Sequence, residues 1–363
     1  MEYTQAEVLQ KRWDQLKAEK PKLRIRNAAQ ELGVSEVELL ALNCGQNVFR
    51  LRPDFKDILS EVESLGKVMA LSRNDEVVHE RKGVYLNPSL DNAHVGLFVG
   101  EDIDLRIFFG PWDSAFAVQQ MVREKPRFSL QFFAKDGEAV HKIYMTPQSK
   151  LAAYHALVEK YRHEDQGKTQ RVEAFDPPAP ETPIEEIDVA AFQQSWIDLK
   201  DTHHFFGLLK KHKLGRVQAL EAAPEGNYAV KVGNQALRQT LNLAAEQAVP
   251  IMVFVGNRGM IQIHSGPVKK LLDYDKWFNV MDPDFNLHVD ESAIAQSWVV
   301  RKPTEDGVVT ALECFNAEGK QIVQFFGKRK PGIPELADWR DIMAQVELDN
   351  TLSQNQPNHV PTS

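Results

Sequence analysis

The sequence predicts an α+β fold made of two copies of one unit, each an antiparallel β-meander flanked by helices. Three observations carry this. "KVMALSRNDEVVHERKG" reads as two alternating strands joined by a tight turn, and "PIMVFVGNRGMIQIHSG" keeps the same register 183 residues later, ending on Gly266 as the first ends on Gly83. Gly137 follows Arg106 of "IDLRIFF" by 31 residues, and Gly319 follows His288 of "FNLHVDE" by the same 31. Each copy then closes on a helical pattern, "TPQSKLAAYHALVEKY" and "IPELADWRDIMAQVEL".

Taken in order, the first copy opens with helices, including residues 28 to 42 in "NAAQELGVSEVELL". Ala29, Gly33 and Val34 have the spacing of a helix-turn-helix, but the second helix begins with Glu36 and Glu38. Carboxylates there repel phosphate, so a structural hairpin is expected and DNA binding is not. In the closing pattern Thr146 is expected as N-cap, with Pro147 at the first helical position. "EDQGKTQRVEAFDPPAPETPIEEIDV" is rich in proline and acid, which predicts a linker. The domains are therefore expected as 1–163, a linker at 164–190, a second repeat at 191–348 and a disordered tail at 349–363. The second repeat is expected to open with one helix over 192–213, in which Trp196, Leu199, His203 and Phe206 form an apolar stripe.

Composition narrows the function. The 43 Lys and Arg against 51 Asp and Glu give a net charge of −8, which supplies no general field for nucleic acid or anionic lipid. Only Cys44 and Cys314 are present, which points to a reducing compartment. The charged N-terminus and the lack of a long apolar run predict a soluble cytoplasmic protein without a membrane span. No βαβ alternation or glycine-rich phosphate loop appears, which argues against a Rossmann or P-loop enzyme.

The residues that could carry chemistry each have two readings. A histidine on an apolar stripe, as His203 is placed, is commonly a hydrogen-bonded core residue, but it can also ligate a metal. Zinc is disfavoured, because no CxxC, HxxxH or HExxH spacing lies nearby. Haem iron brings four porphyrin nitrogens and needs only one axial histidine. Arg106 sits among apolar neighbours and either pairs with Asp104 or points a donor at a ligand. Arg301, Lys302, Lys328 and Arg329 cluster at strand ends; with Arg216 they are either solvated turns or a clamp for carboxylates.

The motifs "DTHHFFGLLKKH", "IMVFVGNRGMIQIHSG", "FNLHV", "WVVRKPTEDG" and "QIVQFFGKR", with "IDLRIFFG" and "LGVSEVELL", strongly resemble the bacterial cytoplasmic hemin-degrading factors of the HemS/ChuS/HmuS type, over about residues 10 to 347. The resemblance implies a haem cleft between the halves, with His203 as proximal iron ligand and His204 as its neighbour. It implies Arg106 as the distal, catalytic arginine with Phe108 in the same pocket, and haem contacts from Arg216, Phe254, Lys302, Gln324 and Arg329. Phe326 stands where the family pattern has a tyrosine, so a hydroxyl hydrogen bond is lost there. Two roles follow for haem: oxidative degradation to release iron, fed by an external electron donor such as a reductase or an ascorbate-like reductant, or carriage of haem to a separate haem oxygenase. A haem uptake transporter is a further expected partner.

Overall fold

A computed structural model describes residues 4–330 and 332–354. The chain divides into two units that exchange short segments. The first comprises residues 1–73, 80–177 and 256–262; the second comprises 74–79, 178–255 and 263–363.

The first unit opens with helices α1 (Gln5–Glu19), α2 (Ile25–Leu32) and α3 (Glu36–Ala41), then strand β1 (Val48–Leu51) and α4 (Phe55–Glu61). Strands β2 (Gly66–Arg73), β3 (Val77–Gly83), β4 (Pro88–Ser89), β5 (Val95–Val99), β6 (Asp104–Phe108), β7 (Trp112–Val122), β8 (Lys125–Ala134) and β9 (Ala139–Ser149) follow, closed by α5 (Leu151–Tyr161). The strands of the chain form two nine-stranded sheets; this unit contributes β1-β7-β8-β9-β2-β3 in that order to one and the antiparallel run β4-β5-β6 to the other.

The second unit repeats this. It has α6 (Val189–Ile197), α7 (His204–His212), α8 (Arg216–Glu221), β10 (Ala229–Val232) and α9 (Ala236–Glu246). Strands β11 (Ile251–Gly256), β12 (Met260–Gly266), β13 (Leu271–Tyr274), β14 (Trp277–Met281), β15 (Phe285–Asp290), β16 (Gln296–Thr304), β17 (Gly307–Phe315) and β18 (Gln321–Gly327) precede α10 (Ala337–Gln354). The order β10-β16-β17-β18-β11-β12, with β13-β14-β15, copies the first unit strand for strand. The duplicated α+β fold read from the sequence is thus the fold of the chain.

The repeated glycines have a geometric cause. Gly137 and Gly319 turn β8 into β9 and β17 into β18 with φ of +83° and +71°, a region costly for any residue with a Cβ. Hairpin tips repeat as well. In the second unit the Asn74 amide donates to the Ile322 carbonyl at 2.8 Å, and Asp290 N–H donates to the Glu76 carbonyl at 2.9 Å. In the first unit the Asn257 amide donates to the Val140 carbonyl at 2.8 Å, and Phe108 N–H to the Gly259 carbonyl at 3.0 Å.

One face of the second unit's sheet packs against α9 and α10, where Leu241, Trp339, Ile342 and Met343 meet Val253, Val299, Leu312 and Phe325. On the opposite face Trp298 and Val300 pack with Phe192, Trp196, Phe205 and Leu208 from the helices that open the unit.

The helical hairpin expected over 28–42 turns at Gly33, which ends α2 in the left-handed region at φ 68° before Ser35 caps α3. Two local expectations are corrected. Thr146 does not cap a helix: it lies in β9, its hydroxyl donates to the Lys67 carbonyl at 2.6 Å, and α5 starts only at Leu151. The single helix over 192–213 is two helices, because Asp201 captures the His203 backbone N–H at 2.9 Å and offers the chain a local alternative to helix. Of the segment expected as linker, residues 164–177 fall in the first unit, where Gln166 and Gln170 bond Arg50. Of the tail, residues 355–363 lie outside the described residues, and α10 extends to Gln354.

Candidate functional site

Strand register in the second unit builds a row of side chains on one face of its sheet. Trp298 is paired with Glu313, Glu313 with Gln324, and Gln324 with Phe254. Directly opposed residues share a face, so the row crosses β16, β17, β18 and β11. Lys302 lies four residues beyond Trp298 on β16 and faces the same way. Phe254 meets Phe326 edge-on, with ring centres 5.0 Å apart.

The electrostatic centre of this face is Glu313, which is fully buried. Its carboxylate accepts from Arg216 Nε at 3.0 Å and Nη2 at 2.6 Å, from Lys302 Nζ at 2.8 Å and from Gln321 Nε2 at 2.9 Å. Burial pushes its pKa up, but the two cations outweigh burial and hold it at about 2. Burial lowers that of Lys302 to about 8; Glu313 opposes the shift and Arg216 adds to it. The buried Phe205 ring of α7 lies against both cations, 4.8 Å from the Arg216 guanidinium and 4.7 Å from the Lys302 ammonium. A cavity of about 330 Å³ opens at Arg216 and Gln321, walled by Phe206, Leu209 and Leu214.

His203 stands immediately before α7, and its side chain is 78% exposed. Ring Nδ1 lies 2.7 Å from Asp201 Oδ1, the same oxygen that accepts the His203 backbone N–H. That backbone bond, ahead of the ring bond, holds the Asp201 carboxyl below the usual range. With Nδ1–H donating to the carboxylate, Nε2 carries the lone pair, the tautomer a metal-binding histidine needs. The expected stripe is corrected here. Trp196 and Leu199 are buried, but the break before α7 shifts the helical phase, so Phe205, Leu208 and Leu209 turn inward while His203 and Phe206 face out.

The remaining residues are placed as follows. In the first unit Asp104, Arg106 and Phe108 share one face of β6, while Leu105 and Ile107 are buried on the other. Arg106 pairs with Asp104 and donates to the Leu105 carbonyl at 3.2 Å. Arg329 pairs with Asp306 at 3.3 Å rather than joining Arg216 and Lys302. The basic cluster expected at strand ends does not form as one: Lys302 is buried on one face of β16, while its neighbour Arg301 turns to Glu347 at 2.6 Å.

Sequence reasoning missed Glu313, Asp201, Phe205 and Gln321. For Glu313 the readable signal was a single carboxylate inside the apolar "TALECF". For Asp201 it was an acid two residues before the histidine pair. Among the described residues no group of three or more His, Cys, Asp or Glu is set to hold a metal ion, and no helix is long and apolar enough to cross a membrane.

Fold and site together define an internally duplicated α+β protein whose second copy holds a buried, carboxylate-bound cation cluster and an exposed, carboxylate-oriented histidine. The chain belongs to the haemin-degrading HemS/ChuX family: the model described as "Haemin-degrading HemS.ChuX domain" matches residues 33–161 and again 213–346, one match per repeat. The chain is 39% identical over 339 residues to the hemin transport protein HmuS of Yersinia pestis, covering 93% of this chain and 97% of that protein. It is 45% identical to holo-PhuS, a heme-binding protein from Pseudomonas aeruginosa, with a TM-score of 0.91 over 93% of this chain and 98% of that one. ChuS, an E. coli heme oxygenase, is 36% identical, with a TM-score of 0.83 over 93% and 98% of the two chains.

Proposed function

We propose that this protein binds haem through His203 and degrades it oxidatively to release iron. One observation carries the binding: Asp201 orients the His203 ring so that Nε2 is its free ligand atom, on an imidazole that is 78% exposed. Porphyrin iron asks for one such ligand. Phe254 and Gln324 supply a flat, half-buried face for the macrocycle, Arg216 and Lys302 are cations for its carboxylates, and Arg329 joins them in this reading by exchanging Asp306 for the ligand. The names of the relatives, heme-binding, hemin transport and heme oxygenase, support haem as cargo or substrate.

When bound and reduced, haem supplies the oxygen chemistry that opens its own ring. Arg106 is the catalytic donor in this reading, its guanidinium stabilising negative charge that develops on bound oxygen, with Phe108 excluding water beside it. Electrons come from an external reductase or a small reductant, since the sequence has no flavin or nicotinamide fingerprint. Two buried, unpaired thiols, Cys44 and Cys314, support a reducing, cytoplasmic setting.

A second reading is favoured by a specific feature. His203 and His204 are adjacent and both exposed, which suits a carrier that hands haem to a separate oxygenase by exchanging one imidazole for another. Anaerobic haem loading followed by spectra in air with a reductant, with and without catalase, separates the two readings. Catalase-resistant loss of the Soret band with release of iron and a linear tetrapyrrole, absent in His203→Ala, is expected for the enzyme. A stable ferrous complex, or bleaching that catalase abolishes, would leave only the carrier.

A further inference from the structure

The cluster under α8 has an unbalanced charge. Arg216 and Lys302 are two cations on one carboxylate, and among the described residues no other charged side chain bonds the three. Burial makes that surplus costly, since a buried cation without a counter-charge is disfavoured far more than an exposed one. The groups facing Lys302 are Glu313 from β17, Arg216 from α8 and the uncharged Phe205 ring from α7. Glu313 bonds one edge of the guanidinium, through Nε and Nη2, and the ammonium together, so the two cations are fixed relative to each other before any ligand arrives. The cavity beside Arg216 is lined by Arg216 and Gln321, both partners of Glu313, and by the side chains of Lys210 and Lys213 from the end of α7.

We propose that Glu313 is the positioning residue of an anion receptor: it locks Arg216, Lys302 and Gln321 into one unit with a single positive charge in excess, and an incoming ligand carboxylate completes that unit. This rests on the haem reading and deepens it, because it assigns recognition of the haem carboxylates to a fourth, negatively charged group that does not itself attract them. Removing Glu313 does not free two cations for the ligand. The Lys302 ammonium is retained at neutral pH through that carboxylate, so without it the amine sheds its proton and the guanidinium loses its bidentate anchor. Carboxylate binding in turn restores charge balance and stabilises the Lys302 ammonium. Free-acid affinity therefore falls as pH rises through about 8, where Lys302 would otherwise be neutral.

The test titrates the full-length protein with haem and with haem dimethyl ester, following the Soret band and tryptophan fluorescence. The ester has the same iron and ring, so events at the iron cancel in the ratio of the two affinities. Wild type is expected to prefer the free acid by roughly tenfold, the scale of one buried charge-assisted hydrogen bond. Glu313→Gln should bring the ratio close to one by weakening only the free acid, and Glu313→Asp should restore much of it. A folded Glu313→Gln that keeps the wild-type ratio, or that tightens free-acid binding, overturns the proposal. If Glu313→Gln does not fold, wild type alone decides: free-acid affinity should weaken between pH 7.5 and 9.5 while ester affinity does not, and parallel curves overturn it. Binding of neither compound would remove the haem reading itself, and this inference with it.

Discussion

The two short helices α3 and α8 sit on corresponding rows of the two repeats, and the charges beneath them differ. In the second unit the row runs Trp298, Glu313, Gln324, Phe254. In the first, 182 or 183 residues earlier, it runs Phe116, Gln131, Lys142, Leu71. There Glu36, from α3, pairs with Lys142, and both are buried. One cation meets one carboxylate: burial lowers the Lys142 pKa, but Glu36 overrides it and the net shift is upward. Under α8 two cations share one carboxylate, and the net shift of Lys302 is downward. The same face of the scaffold therefore holds a neutral structural pin in one copy, with its lysine where the other has Gln324, and a charged receptor in the other, with its carboxylate where the first has Gln131.

The sharpest way to break this comparison is to cut both clusters. Removing one partner of a buried pair costs about 3–5 kcal/mol, whereas replacing the whole pair by apolar residues is often neutral. Glu313→Gln should therefore lower the urea unfolding free energy by about 3 kcal/mol or more. The double change Glu36→Leu with Lys142→Met should stay within about 1 kcal/mol of wild type. Equal losses would mean that apolar replacement of the Glu36–Lys142 pair is not neutral and that the pair stabilises the first unit as Glu313 stabilises the second. Acid gives a second view of Glu313. Its folded pKa lies below the ordinary 4.5, so its stabilisation is complete above that value and is lost as pH falls towards about 2. In Glu313→Gln that part of the acid-unfolding curve should be missing.

The next effect in size separates the histidines. His203→Ala should weaken haem binding roughly a hundredfold, at or beyond the upper end of what loss of metal-orienting groups costs. His204→Ala should leave equilibrium affinity unchanged, because among the described residues no carboxylate bonds the His204 ring as Asp201 bonds that of His203. Soret titration of the two variants measures both. Equal losses would mean that the pair acts as one ligand.

Hairpin tips offer a comparison in which the repeats have not diverged. Asn74 and Asn257 each donate to a carbonyl of a corresponding strand and each accept a backbone N–H of their own turn, at 2.8–3.1 Å. Asn74→Ala and Asn257→Ala should each cost about 1–3 kcal/mol in denaturant unfolding, and to similar extents. A large difference would show that the matched bonds do unequal work.

What the sequence allowed to be read follows the physics of each signal. Turn glycines and strand alternation are local demands, so Gly137, Gly319 and the two hairpins exposed the duplication. The exchanged segments 74–79 and 256–262 were not legible, since each tip has the pattern of its own hairpin and bonds elsewhere. His203 was legible as a residue but not in its setting. A continuous helix was the natural reading of 192–213, and Asp201, which breaks it, acts through one side-chain bond that periodicity does not register. Glu313 escaped because its partners come from three other elements, Arg216 from α8, Lys302 from β16 and Gln321 from β18, and no spacing rule joins them.

The smallest effect tests that same Asp201. Its carboxylate does two things with one oxygen: it accepts the His203 backbone N–H at 2.9 Å, which sets the chain for α7, and it lies 2.7 Å from ring Nδ1. Asn in its place keeps a carbonyl oxygen for the backbone and a neutral acceptor for the ring, so helix content should not change. What is lost is the negative charge, which orients the ring and holds the tautomer. Asp201→Asn should therefore weaken haem affinity about tenfold, with the far-UV circular dichroism of wild type. If affinity and helix content fall together, Asp201 is only a break in the chain between α6 and α7. If affinity alone falls, the residue that interrupts the predicted helix also prepares the ligand atom beyond it.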